Sequence, residues 1–133
     1  MIPVQQTIFG RGPDFGESVG NCFAACIASI LEIPLDDVPN FCNSQEWVAD
    51  LRAWLRPWGL YYLDVRIPKK DADLLDGYHV ISGTSPRGCQ HSVVGYHGKM
   101  VHDPHPSGDG VSGELLFGLL VLSRPVDHEP REE

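Results

Sequence analysis

The chain has 133 residues, of which 42% are hydrophobic, and a formal net charge of −8. This length suits one compact domain that is large enough to bury a sizeable core. The negative charge argues against nucleic acid or an anionic membrane as a partner, because both require a basic surface. No apolar run approaches the roughly 18 residues of a membrane span. The N-terminus, MIPVQQTIFG, lacks the pattern of a signal peptide, so we expect a soluble cytoplasmic protein.

The first 20 residues predict an extended arm and then a loop, since five of the eleven positions from 10 to 20 are glycine or proline. A helix is predicted from Cys22 to Glu32, with Asn21 as its N-cap. Its only charge is Glu32, and a helix that is apolar nearly all round should be buried. The Cys22 thiol would then lie at the positive end of the helix dipole.

A second helix is predicted within residues 44–59, SQEWVADLRAWLRPWG, with Ser44 as its N-cap. Apolar side chains recur there at helical spacing, and these are Trp47, Leu51, Trp54 and Leu55. We expect this stripe to pack in the core. Pro57 and Gly59 end the helix.

The hydrophobic period then changes to that of strands. The predicted strands are Leu60–Ile67, Tyr78–Gly83, His91–Tyr96, Lys99–Asp103 and Leu115–Leu122. Two helices followed by mostly antiparallel strands predict a single α+β domain over residues 1–125. The polar tail, residues 126–133, is expected to be flexible.

The turn between the third and fourth strands decides whether His91 and Asp103 can meet. A two-residue turn at positions 97 and 98 would place these side chains on opposite faces of the hairpin. A three-residue loop ending in a left-handed Gly98 would pair Gly95 with Lys99 and set His91 opposite Asp103. We favour the three-residue loop because glycine suits its last position.

The four cysteines are Cys22, Cys26, Cys42 and Cys89. In an intracellular protein we expect them to be reduced, with Cys26 and Cys42 acting as small buried hydrophobes. Cys22 is different, because a helix N-terminus and a nearby imidazolium both favour the reactive thiolate. A carboxylate beside that imidazole would fix its tautomer, so Cys22, His91 and Asp103 form a candidate catalytic set.

This order of residues resembles the papain-like cysteine peptidase superfamily, and within it the compact bacterial branch that includes the bacteriocin-leader peptidase domains. The matching positions are Gln6, Cys22, His91 and Asp103 followed by Pro104. The sequence also resembles small bacterial and phage proteins that carry GNCF near the start and HDPHPSG near the end. The resemblance implies a papain-like fold, in which a buried helix packs on a mostly antiparallel sheet.

The resemblance also implies a cysteine hydrolase or acyl transferase that acts, without a cofactor, on an amide, peptide or isopeptide bond of a peptide or protein. Cys22 would be the nucleophile, His91 the general base and later acid, and Asp103 the residue that orients His91. The backbone N–H of Cys22 and the side chain of Gln6 would form the oxyanion hole, with Gln5 as the alternative to Gln6.

The expected substrate contacts are Asn21, Phe23 and His105. Phe23 stands where the bacteriocin-leader enzymes have glycine and papain has tryptophan.

Two other functions stay open. The first is a zinc site, whose candidate ligands are Cys22, Cys26, Cys89, His91, His97, His102 and His105. Their spacing matches no familiar zinc motif. The second is a catalytically inactive papain-like binding module, which would dock a basic partner through Asp36, Asp37, Glu46 and Asp50.

Overall fold

The computed structural model describes residues 1–123, and the predicted flexible tail therefore lies outside the described residues. The helices and strands are α1 (Cys22–Leu31), α2 (Trp47–Leu55), β1 (Leu60–Val65), β2 (Tyr78–Thr84), β3 (Gln90–Tyr96), β4 (Lys99–His102) and β5 (Ser112–Leu122). They make an α+β domain with one antiparallel sheet of strand order β1-β5-β2-β3-β4. The predicted α+β class is thus confirmed. No helix within residues 1–123 is long and apolar enough to cross a membrane.

The helix α1 packs over β3 and β2 and forms the centre of the main core. All seven residues from 23 to 29 are buried, as the nearly uncharged sequence of this helix predicts. Cys26 is fully buried, as expected, whereas Cys42 is only half-buried and borders the cleft described below. A second cluster, formed around Ile81, Val93 and Phe117, covers the other face of the sheet.

The helix α2 begins two residues later than predicted. Glu46, not Ser44, occupies its N-cap position, because a 3-10 turn over Phe41–Asn43 runs up to Ser44. The Ser44 hydroxyl instead accepts a hydrogen bond from the backbone N–H of Glu46, at 3.1 Å. The predicted cap is therefore wrong, although the helix itself and its buried Leu51 are confirmed.

The turn between β3 and β4 has two residues, and the favoured three-residue loop is wrong. His97 (φ 53°) and Gly98 (φ 76°) are both left-handed, as a type I′ turn requires, and Tyr96 pairs with Lys99. Gly98 also touches the second cluster closely, since a Cβ there would lie 2.5 Å from the side chain of Ala72. The close approach of Gly98 to Ala72 favours the two-residue turn over the longer loop.

A bulge in β4 nevertheless brings His91 and Asp103 together. The pairs on either side of it are Gly95 with Met100 and Val94 with His102. Val101 is therefore an extra residue without a partner on β3. One inserted residue reverses the alternation of faces beyond it. Asp103 consequently shares the face of His91, and the predicted contact forms by a different route.

Candidate active site

A cleft of about 520 Å³ opens at the end of the sheet where β2 ends and β3 begins. Of the predicted site residues, the cleft is lined by Gln6, Cys22, Phe23, His91 and His105. Asp103 and Asn21 do not line the cleft. Asp103 binds His91, and Asn21 binds the backbone of the N-terminal arm at Thr7. The fold thus brings the predicted catalytic residues to one place, from the arm, the start of α1 and the β3–β4 hairpin.

His91 and Asp103 form a buried pair in which His91 Nε2 lies 2.7 Å from Asp103 Oδ1. Their side chains are only 3% and 2% exposed. Because a carboxylate accepts, Nε2 carries the proton and Nδ1 is left unprotonated in the neutral ring. Among the described residues His91 Nδ1 forms no hydrogen bond, so this nitrogen is available as a base.

Asp103 is held by two further hydrogen bonds. Its Oδ1 accepts from the backbone N–H of His105 and its Oδ2 accepts from that of Gly110, both at 2.9 Å. Burial by itself would raise the pKa of Asp103, but the hydrogen bonds from His91, Gly110 and His105 outweigh it and hold the pKa below its usual value. Asp103 is therefore a fixed carboxylate that orients the imidazole.

Cys22 is the first residue of α1 and is half-buried at the cleft. Burial raises the pKa of its thiol, while the backbone N–H groups of Ser92 and Phe23 act in the opposite direction. Burial therefore works against the predicted thiolate. Within residues 1–123 no hydrogen bond joins the Cys22 thiol to His91. The thiol does lie close to β3, because the backbone N–H that it contacts belongs to Ser92, the residue after His91. Deprotonation of Cys22 thus requires a base that approaches it.

Asn21 occupies the N-cap position of α1 but its side chain does not cap the helix, contrary to prediction. Its Oδ1 accepts from the backbone N–H groups of Thr7 and Ile8, both at 2.9 Å, and its Nδ2 donates to the Thr7 hydroxyl. Asn21 therefore fastens the N-terminal arm to the start of α1. One consequence is that the N–H groups of the first helical turn are left without a side-chain cap.

Gln6 is the arm residue that this fastening places in the cleft, whereas Gln5 is exposed. Gln6 is only 6% exposed, and its Nε2 donates to the carbonyl of Ile8 at 2.9 Å. Its Oε1 is buried and has no hydrogen-bond partner among the described residues. Gly20 leaves the room that this arrangement needs, because a Cβ there would meet the carbonyl of Gly10 at 2.9 Å.

We expect Asn21→Ala to lower the free energy of unfolding by about 1–3 kcal/mol, because the part-buried hydrogen bonds from the N–H groups of Thr7 and Ile8 are both lost. Urea unfolding measures this loss. Asn21→Asp is the matched control, since it keeps the acceptor oxygen and should cost less. Equal stability of wild type and Asn21→Ala would show that the arm does not depend on Asn21.

Phe23 and His105 border the candidate nucleophile and base. The Phe23 ring is buried and meets the rings of Trp47 and Tyr62 edge-on, at 5.3 and 5.6 Å between centroids. The His105 ring lies edge-on to His91, 6.1 Å away. Burial, with a smaller contribution from nearby Arg87, lowers the pKa of His105, so its ring is neutral at neutral pH.

Sequence reasoning missed three residues that line the cleft, namely Tyr62, Asp64 and Arg87. Trp47 packs against the main core, as its helical spacing predicts, and also lines the cleft. Asp64 carries one available signal, since it is the single charge in the strand LYYLDV. Only the strand order shows that this distant strand faces the cleft.

The structure gives no support to the zinc hypothesis. No three His, Cys, Asp or Glu side chains come together to hold a metal ion in the part of the chain that is described. Cys26 is in the core, His97 binds the carbonyl of Asp73, and His102 binds that of Val4. These candidate ligands therefore point to different parts of the fold.

Comparison of the chain with protein-family models, with curated proteins and with solved structures finds no match.

Proposed function

We propose that the protein is a papain-like cysteine hydrolase or acyl transferase that acts on amide, peptide or isopeptide bonds. The observation that carries this proposal is the buried His91–Asp103 pair, which borders the same cleft as a cysteine at a helix N-terminus. A carboxylate-paired imidazole beside a thiol is the arrangement that nucleophilic catalysis by a cysteine requires. The order of these residues along the chain is that of the papain-like enzymes.

In the proposed reaction His91 Nδ1 takes the thiol proton of Cys22 as the sulfur attacks the substrate carbonyl carbon. The C–N bond then breaks, the leaving amine takes the proton back from His91, and Cys22 holds the acyl group as a thioester. Attack by water gives hydrolysis, and attack by a second amine gives transfer. A general base of this kind suits a thiol whose pKa is raised by burial.

The oxyanion of the tetrahedral intermediate would bind to the backbone N–H of Cys22 and to Gln6 Nε2. Two observations support this assignment. The N-cap side chain leaves the first turn of α1 uncapped, and one hydrogen of the Gln6 amide remains after its bond to Ile8. The buried, unpartnered Oε1 of Gln6 costs about 1–3 kcal/mol. A role of the Gln6 amide in binding the oxyanion would explain why a buried side chain with this destabilising effect is present.

A binding module with the same fold but without turnover is the second candidate. It is favoured by the burial of the Cys22 thiol and by the lack of a hydrogen bond to His91. The acidic residues proposed to dock a basic partner are all exposed, and these are Asp36, Asp37, Glu46 and Asp50. Exposure is also what ordinary solvated charges show, so it does not separate the two candidates.

The test is incubation of the protein with a mixed peptide library in the presence of methylamine, followed by mass spectrometry. We expect cleaved peptides from hydrolysis, or methylamide products from transfer, and we expect Cys22→Ala to abolish both. His97→Asn is the control, because His97 lies outside the cleft lining and asparagine tolerates a left-handed turn. Identical spectra from wild type and Cys22→Ala would exclude catalysis by Cys22 and would favour the binding module.

A further inference from the structure

One end of the cleft is formed by Trp47, Tyr62 and Asp64, and we call it the aromatic–acidic end. Tyr62 and Asp64 are two residues apart on β1 and share one face of the sheet. The floor of the cleft between this end and β3 consists of Ser82, Thr84, Ser92 and Leu116. The cleft therefore runs across the sheet from the candidate catalytic residues to an edge strand.

Asp64 is a carboxylate without a cationic partner. It accepts a hydrogen bond from the Tyr62 hydroxyl and forms no ion pair with any described residue. Burial, followed by the hydrogen bond to Asp64, raises the pKa of the Tyr62 phenol, so the proton stays on the tyrosine. Asp64 itself is exposed and lines the cleft.

The aromatic rings beside this carboxylate belong to Phe23, Trp47 and Tyr62. The centroids of Trp47 and Tyr62 are 6.0 Å apart, and both rings contact Phe23. Phe23 and Tyr62 are buried, whereas the Trp47 ring is partly exposed and lines the cleft. A partly exposed indole ring next to a carboxylate suits an ammonium or guanidinium group, which gains a cation–π contact and an ion pair together. An acidic side chain would be repelled there, and a neutral one would gain neither the ion pair nor the cation–π contact.

The arginines of the cleft are already engaged elsewhere. Arg11 forms an ion pair with Glu17 on the loop that covers the cleft, and Arg87 donates to Ser107. Neither contacts the aromatic–acidic end. The overall charge of −8 also favours the approach of a basic substrate.

From these observations, and on the basis of the proposed function, we propose that the enzyme selects substrates that present a lysine or arginine side chain to the aromatic–acidic end. The strand order places β1 three strands from β3, which is about 14 Å at the usual strand spacing. An extended lysine side chain covers about 6 Å of this, and each substrate residue adds about 3.5 Å. The cationic residue should therefore lie about two residues from the bond that is cleaved.

The test measures equilibrium binding, so that it does not depend on turnover. The Cys22→Ala variant is titrated with blocked pentapeptides that differ only in having lysine, arginine or norleucine at one position. We expect the cationic peptides to bind about tenfold more tightly than the norleucine peptide. Asp64→Asn, which keeps an oxygen for the Tyr62 hydroxyl, should remove this preference.

Asp73→Asn is the matched control, because Asp73 is exposed and lies outside the cleft lining. It should keep the preference for a cation. Equal affinities for lysine and norleucine, binding of neither peptide, or an unchanged preference in Asp64→Asn would each overturn the inference. If the cationic peptides bind more tightly but the wild type does not cleave or transfer any of them, the inference about binding holds and the proposed hydrolase or transferase activity is contradicted.

Discussion

Replacement of His91 by alanine should slow the alkylation of Cys22 by iodoacetamide at neutral pH by about a hundredfold or more. Burial raises the pKa of the thiol above its ordinary value of 9.0, so little thiolate exists at neutral pH unless a base assists. His91 Nδ1 is the unprotonated nitrogen that can assist, because Asp103 binds the other one. In the variant, reactivity should return only as the pH rises through the raised pKa of the thiol.

Peptide mass spectrometry after alkylation separates Cys22 from the other cysteines. Cys42 serves as an internal reference, since burial raises its pKa to about 12 and it should react slowly in both proteins. His91→Gln, which can keep a hydrogen bond to Asp103, guards against an effect of misfolding. His97→Asn controls for the loss of an imidazole remote from the cleft. Equal Cys22 rates in wild type and both His91 variants would exclude His91 as the base.

Replacement of Asp103 by alanine should lower the free energy of unfolding by about 3–5 kcal/mol, because it breaks a buried pair by removing one partner. The backbone N–H groups of His105 and Gly110 lose their acceptor as well. Urea unfolding at neutral pH measures the loss. Asp103→Asn, which keeps one acceptor oxygen, should cost less and should still slow Cys22 alkylation, because the amide does not impose the same tautomer on His91.

The contribution of Asp103 to stability should also depend on pH. The pKa of Asp103 in the folded protein lies below its ordinary value of 3.8. A lowered pKa stabilises the fold at all pH values above the ordinary one, and this stability is lost as the pH falls through the folded value. The difference in unfolding free energy between wild type and Asp103→Asn should therefore shrink as the pH falls below about 4. A difference that stays constant at acid pH would mean that the charge of Asp103 is not what stabilises the pair.

The sequence by itself determined the α+β class, the first residue of α1 and the approximate bounds of the five strands. These features depend on local patterns, namely an apolar helix that begins at Cys22 and a period of two in the second half. It also brought His91 and Asp103 together as candidates, because a carboxylate and an imidazole on neighbouring strands can pair across a hairpin.

Only the tertiary structure decided how that pair forms. Packing of Gly98 against Ala72 fits a tight turn, and the bulge at Val101 then restores the face that the turn would have reversed. The bulge at Val101 has no glycine that would mark it in the sequence. The hairpin register therefore could not be predicted from the hairpin alone.

Two further features depended on partners distant in sequence. Asn21 has a side chain that could cap α1, but its Oδ1 accepts hydrogen bonds from the N–H groups of Thr7 and Ile8 in the arm instead. Asp64 lies at the far end of the cleft from His91 because β5 and β2 separate β1 from β3. Residue type and spacing predict what a segment can do locally, whereas the choice among partners is made by contacts that exist only once the sheet has assembled.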